Sequence, residues 1–125
     1  MDKKKIFEQA KETVKDRKKL SDVLSKSTKK IKDLATNSPE WKELQTKVNT
    51  LASMAQYHIT GKYRAFSNAS LLLIVFALLY FVTPTDVIPD FIPALGFTDD
   101  ASVLYLIYRK LSKDIDQFLQ WKGTQ

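Results

Sequence analysis

The sequence predicts an all-α protein of about four helices, with a basic amphipathic N-terminal region and a C-terminal helical hairpin around an Asp/Pro-rich turn. Apolar residues recur at three- and four-residue steps through much of the chain. Only three glycines and four prolines occur among 125 residues, which argues against turn-rich propellers and β-sandwiches. The chain has no cysteine and one histidine, His58, so disulfide frameworks, thiol catalysis and zinc sites built on cysteine or paired histidines are excluded.

Charge is distributed unevenly along the chain. Residues 1–64 contain 16 basic and 8 acidic residues, whereas residues 65–125 contain 4 basic and 6 acidic residues. A basic half of this kind favours an anionic partner surface, either lipid headgroups or nucleic acid. Nucleic acid is the less favoured partner, because the basic run lacks interleaved aromatic residues and is poor in arginine, with only Arg17 and Arg64 in the first half. In the alternative interpretation, the basic residues form a solvent-exposed helix face with i,i+4 ion pairs and bind no partner.

The basic region, residues 1–61, is predicted to begin with a helix over residues 3–35. Apolar residues recur there at helical spacing, opposite a face rich in lysine. If this helix breaks, the predicted position is residues 20–22, because Ser21 is a candidate cap for a second helix. The first residues lack the apolar segment of a secretory signal, so no such signal is expected.

A further amphipathic helix is predicted from Pro39 to about Thr60. Ser38 is its candidate N-cap, and proline suits the first helical position. Gly61 follows and is a candidate helix stop or kink. The second predicted domain, a hairpin over residues 62–125, begins beyond it.

Residues 65–85 contain no charged side chain. A helix over residues 66–83 would be apolar on nearly every side, which is typical of a helix buried in protein or placed in lipid. The uncharged run would extend about 31 Å as a helix, close to the thickness of the bilayer hydrocarbon. Lys62 and Arg64 precede it, so the positive-inside rule predicts a cytoplasmic N-terminal region. Hydropathy alone leaves open a short transmembrane helix, a re-entrant segment and a buried core helix; we predict membrane insertion, with a buried core helix as the main alternative. The predicted inserting residues are Leu71, Leu72, Leu73, Ile74, Val75, Phe76, Leu78, Leu79, Tyr80 and Phe81.

A turn rich in proline and aspartate follows the apolar run. Residues 83–101 contain three prolines and four aspartates but no basic residue, and the prolines prevent a continuous helix. Thr98 is the candidate cap of a last helix over residues 99–121. The helices before and after the turn form the predicted hairpin.

Residues 78–111 resemble the YkvA-like family, a domain of unknown function in small bacterial membrane proteins. The family pattern joins two apolar helices through Pro-x-Asp-x-Ile-Pro-Asp-x-Ile-Pro-x-x-Gly-x-x-Asp-Asp. With its flanking helices the resemblance covers roughly residues 62–112, and Val87 is a mild departure because many members carry leucine there. The resemblance implies membrane association without an established activity. The residues that match the pattern are Pro84, Asp86, Ile88, Pro89, Asp90, Ile92, Pro93, Gly96, Asp99 and Asp100.

The four aspartates of the turn have two interpretations. As structural groups, Asp86 and Asp90 would hold the turn, while Asp99 and Asp100 would favour the positive end of the last helix. As oxygen ligands, the four would hold Mg²⁺ or Ca²⁺, although their spacing is not that of an EF-hand loop. Nothing in the sequence supplies a nucleophile or a substrate pocket beside them, so no enzyme and no cofactor is predicted.

The sequence thus predicts a non-enzymatic, membrane-associated helical protein with a scaffold or interaction role at the cytoplasmic face. Its predicted partners are membrane lipids with anionic headgroups and an unidentified protein. The alternative is a soluble helical bundle that binds a protein or a divalent cation through the Asp/Pro turn.

Overall fold

Six helices make up the described part of the chain. The computed structural model describes residues 3–33, 39–82 and 97–124. No strand occurs in these segments, so the all-α class is confirmed, but the expected number of about four helices is too small. The helices are α1 (Lys3–Lys15), α2 (Arg17–Asp33), α3 (Pro39–Ile59), α4 (Asn68–Val82), α5 (Phe97–Lys110) and α6 (Ser112–Gly123).

The N-terminal region divides at Asp16, earlier than the predicted break at residues 20–22. The Oδ1 atom of Asp16 accepts hydrogen bonds from the backbone N–H groups of Lys18 at 3.0 Å and Lys19 at 3.2 Å. This is the arrangement of an N-cap, and it satisfies donors that the first turn of α2 leaves without partners. Ser21 lies inside α2, so its predicted role as a cap and the continuous helix over residues 3–35 are both wrong.

Replacing Asp16 with alanine is expected to lower the free energy of unfolding by about 1 kcal/mol, because the cap of α2 is lost. Urea unfolding followed by circular dichroism measures the change. Asp22→Ala is the matched control, since Asp22 is an exposed aspartate within the same helix. An equal loss in both variants would contradict the capping role of Asp16.

The predicted last helix divides at Leu111 into α5 and α6. The backbone of Leu111 has φ −94° and ψ 7°, which is the bridge region rather than the helical region. Two hydrogen bonds of 2.9 Å meet at this residue, because the Leu111 N–H donates to the Ile107 carbonyl of α5 and the Ile115 N–H of α6 donates to the Leu111 carbonyl. The side chains of all three residues are buried, so the bend keeps them in the core. Because α5 begins at Phe97, Thr98 lies inside the helix that it was predicted to cap.

The third helix follows the prediction closely. It begins at Pro39 and ends at Ile59. Gly61 has φ 77°, the left-handed conformation that terminates helices without a steric cost for glycine. The N–H of Gly61 donates to the His58 carbonyl at 3.1 Å, and the N–H of Lys62 donates to the Tyr57 carbonyl at 3.0 Å. The predicted helix stop at Gly61 is therefore confirmed.

The central element of the fold is α4, which packs against α1, α2, α3 and α5. Eight of its fifteen residues are buried, as expected when a helix that is apolar on nearly every side is surrounded by protein. Its contact with α5 brings together the two helices of the predicted hairpin, whose turn lies outside the described residues. A single cluster of buried apolar residues draws on all six helices. The division into domains 1–61 and 62–125 stays a prediction.

Candidate functional site

Most of the Asp/Pro motif lies outside the described residues, so its capping and cation-binding interpretations both stay predictions. Asp99 and Asp100 are among the first four residues of α5, but their side chains are not described. Among the side chains that the structure does describe, no three His, Asp or Glu residues group as metal ligands would. The motif residues outside the described ranges are Pro84, Asp86, Ile88, Pro89, Asp90, Ile92, Pro93 and Gly96.

The residues predicted to insert into a membrane are side chains of the central helix. Within residues 3–33, 39–82 and 97–124, no helix combines the length and the hydropathy that crossing a bilayer requires. The structure therefore gives no support to insertion and places α4 as a core helix, the alternative raised by the sequence. Leu72, Leu73 and Phe76 are only partly buried, whereas the buried members of the set are Leu71, Ile74, Val75, Leu78, Leu79, Tyr80 and Phe81.

The outer side of α1 and α2 is strongly basic. Among the side chains of these helices that the structure describes, nine lysines are exposed to solvent, against three exposed acidic residues, which are Glu8, Glu12 and Asp22. Lys11 forms a surface ion pair with Glu8 at 3.3 Å, and pairs of this kind contribute less than about 1 kcal/mol. The helices therefore present an excess of positive charge to their surroundings. The exposed lysines are Lys4, Lys5, Lys11, Lys15, Lys18, Lys19, Lys26, Lys29 and Lys32.

Two basic residues of α2 bind the ends of other helices. The guanidinium of Arg17 donates a hydrogen bond of 2.7 Å to the carbonyl of Ile59, the last residue of α3. The ammonium of Lys30 donates to the carbonyl of Phe81 in the last turn of α4 and lies 4.8 Å from the centre of its ring. Cations are favoured at both positions, because carbonyl groups at the C-terminal end of a helix lack partners. These two residues stabilise the fold, a role that the sequence analysis missed.

An aromatic cluster joins the end of α3 to α6. Phe118 is fully buried, with ring centres of Tyr57 and Tyr63 both 5.3 Å away, of Phe66 6.0 Å away and of Trp121 6.3 Å away. Ring pairs at these separations add to the stabilisation from buried area. The cluster therefore fixes the position of α6 and of the segment that connects α3 with α4.

Polar groups tie the N-terminus of α4 to α6. The Ser67 hydroxyl accepts a hydrogen bond of 3.0 Å from the Ser70 N–H and donates one of 3.1 Å to the Ser70 hydroxyl. The Ser70 hydroxyl in turn donates to the carboxylate of Asp114 in the first turn of α6. Ser67 therefore caps α4. The carboxylate of Asp114 lies in the first turn of α6, where the dipole of that helix favours an anion.

His58 lies near the end of α3 and is partly buried. Burial lowers the pKa of its imidazole below the usual value, and the positive charge of Arg64 lowers that pKa further. Its Nδ1 atom is buried, with no hydrogen-bond partner among the described residues. The lowered pKa favours the neutral form of the imidazole at neutral pH.

These features define a small helical protein with a central apolar helix and a basic outer surface. Residues 70–106 match a family of proteins of unknown function, DUF1232. Over 75 residues the chain is 40% identical to the uncharacterized membrane protein YkvA of Bacillus subtilis (strain 168), covering 60% of this chain and 71% of the relative. The chain belongs to the YkvA-like family, and the family predicted from the Asp/Pro motif is confirmed. No solved structure matches the chain significantly.

Proposed function

We propose that this protein is a non-enzymatic, membrane-associated helical protein with a scaffold or interaction role, attached through α1 and α2 to an anionic membrane surface. The observation that carries this proposal is the set of nine exposed lysines, against three exposed acidic residues, among the described side chains of these helices. The name of its relative YkvA, a membrane protein, supports membrane association. Because anionic lipids are concentrated in the cytoplasmic leaflet, the basic face would lie on the cytoplasmic side.

The expected attraction is electrostatic and additive. Each lysine near an anionic leaflet contributes about 1 kcal/mol. Several lysines on two consecutive helices would therefore give a binding energy sufficient to hold the protein at the membrane. Because salt screens this attraction, with a Debye length of about 8 Å at physiological ionic strength, the attachment is expected to weaken as salt is added.

Insertion of residues 66–83 would be a deeper form of attachment, and it would require α4 to leave four partner helices. The bilayer would replace the apolar surroundings of α4 itself. The apolar faces of α1, α2 and α3 would then be exposed to water, at about 1.5–3 kcal/mol for each fully buried large side chain. We therefore propose attachment at the membrane surface, with α4 remaining in the core.

Fractionation of the untagged protein from cells distinguishes these forms of attachment. We expect it in the membrane pellet and expect a high-salt wash to release it. Retention through an alkaline carbonate wash would show instead that residues 66–83 are in the bilayer. Recovery in the soluble fraction from the start would contradict membrane association and favour the alternative binding module.

Reversing three charges on α2 is expected to weaken binding to vesicles of phosphatidylcholine and phosphatidylglycerol by at least about tenfold, since each lysine contributes about 1 kcal/mol. The variant is Lys18→Glu, Lys26→Glu and Lys29→Glu, and co-sedimentation measures binding. The matched control reverses the same number of exposed charges elsewhere, and its substitutions are Lys42→Glu, Arg109→Glu and Lys113→Glu. Equal weakening in both variants would show that net charge, rather than the basic face of α1 and α2, governs binding.

A further inference from the structure

The central helix is not covered equally on all sides. Ala69 is exposed, and Leu72, Leu73 and Phe76 are only partly buried, whereas every other residue from Leu71 to Phe81 is buried. The four residues are spaced i, i+3, i+4 and i+7, which places them on one side of the helix. We call them the open stripe. The N-terminal half of α4 therefore presents an apolar surface that its partner helices do not fully cover.

The helices that pack on α4 do not all pack on one another. In the described ranges, α1 packs on α2 and α4, while α5 packs on α3, α4 and α6. No comparable packing joins α1 to α5 in these ranges. These two helices therefore both pack on α4 without comparable packing on each other.

Positive charges border the open stripe through Phe7 of α1. The ring of Phe7 meets Phe76 edge to face, with 5.9 Å between ring centres and 70° between planes. The ammonium of Lys11 lies 5.1 Å from the centre of the Phe7 ring. Lys4, one helical turn before Phe7, is also exposed. Phe7 thus extends the apolar surface, and lysines lie on both sides of it along α1.

We propose that the open stripe and Phe7 contact the interfacial region of an anionic bilayer, with Lys4 and Lys11 at the headgroups. This inference rests on the proposed function and assigns its contact surface. Apolar side chains at such an interface enter the boundary of the acyl chains by about 5–10 Å, while long basic side chains extend back to the headgroups. Charge complementarity favours this occupant over a second copy of the chain, whose pairing would bring the same lysines together.

An environment-sensitive label tests the contact directly. The chain contains no cysteine, so Leu73→Cys and Leu119→Cys each create one labelling site for a nitrobenzoxadiazole fluorophore. Leu119 is 45% exposed, lies on α6 outside the open stripe and lines a groove with Thr46 and Asn49 of α3. Vesicles of phosphatidylcholine and phosphatidylglycerol should shift the emission of the label at residue 73 to the blue and leave that at residue 119 unchanged. Equal shifts, or none at residue 73 in bound protein, would overturn the inference.

Substitution provides a second, independent test. Leu72→Gln with Leu73→Gln is expected to weaken vesicle binding by about tenfold or more, because two leucine side chains lose transfer into apolar surroundings. The control variant, Leu106→Gln with Leu119→Gln, removes two other leucines that are exposed and lie outside the open stripe. This control should leave vesicle binding within about twofold. Circular dichroism verifies that both variants fold. If the control variant loses vesicle binding equally, general hydrophobic adhesion, rather than the open stripe, explains the binding.

Two outcomes separate this inference from the proposed function. If the unmodified protein does not bind anionic vesicles, the proposed function fails and the inference fails with it. If the protein binds in a salt-sensitive manner but the open-stripe variants bind equally well, only the inference fails. A dimer that dissociates in the Leu72→Gln, Leu73→Gln variant, measured by light scattering, would assign the stripe to a second copy and also overturn the inference.

Discussion

Replacing Phe118 with alanine is expected to lower the free energy of unfolding by about 3–5 kcal/mol. Phe118 has no exposed surface and contacts four aromatic rings from α3, the following connection and α6. The substitution would leave a cavity bordered by rigid rings, which relax poorly into the vacated space. Since domains of this size are stable by about 5–15 kcal/mol, the variant would lose a large fraction of its stability.

Urea unfolding followed by circular dichroism measures this loss. Leu119→Ala is the matched control, because Leu119 is the next residue of α6 and is 45% exposed. We expect the control to lose less than about 1 kcal/mol, since alanine is favourable in helices and little buried area disappears. Comparable losses in the two variants would contradict the aromatic cluster as the contact that holds α6.

Replacing Leu78 with alanine is expected to destabilise the protein by about 2–5 kcal/mol in aqueous buffer without detergent. Leu78 has no exposed surface in α4, which packs against four other helices. The loss combines the transfer energy of the deleted atoms with the cost of the cavity. A loss of this size in water would show that α4 stabilises the fold as a core helix.

Leu72→Ala is the matched control for this experiment, because Leu72 lies in the same helix but on the open stripe. We expect the control to lose clearly less stability, since part of the side chain already contacts solvent. If both variants unfold at the same urea concentration, α4 does not occupy the centre of the described fold. Phe118 and Leu78 are far apart in the chain, so the two experiments test separate parts of the core.

Local signals predicted the third helix well because its boundaries are encoded within a few residues. Pro39 suits a helix start, and Gly61 has the conformational freedom that a helix end requires. The divisions at Asp16 and Leu111 were not predicted. Asp16 lies among basic residues that suit a helix interior, and Leu111 continues an apolar stripe without a nearby glycine or proline. The break at Asp16 carries a local signal, because aspartate is a preferred N-cap residue and caps α2 here.

The contacts of two basic residues, Arg17 and Lys30, also could not be predicted from the sequence. The sequence analysis assigned no contact to Arg17 or Lys30. Their acceptors, the carbonyls of Ile59 and Phe81, lie 42 and 51 residues further along the chain. No spacing rule within a helix reveals such partners, because the contact forms only when α3 and α4 pack against α2.

The sequence by itself determined the helical class, the family and the excess of positive charge in the first half, because these depend on composition, periodicity and a short motif. It also predicted that α4 requires apolar surroundings. Only the tertiary structure decided that protein supplies most of those surroundings and that Ala69, Leu72, Leu73 and Phe76 stay open. The physical reason is that hydropathy measures how strongly a side chain avoids water, whereas the packing of distant helices determines what replaces the water.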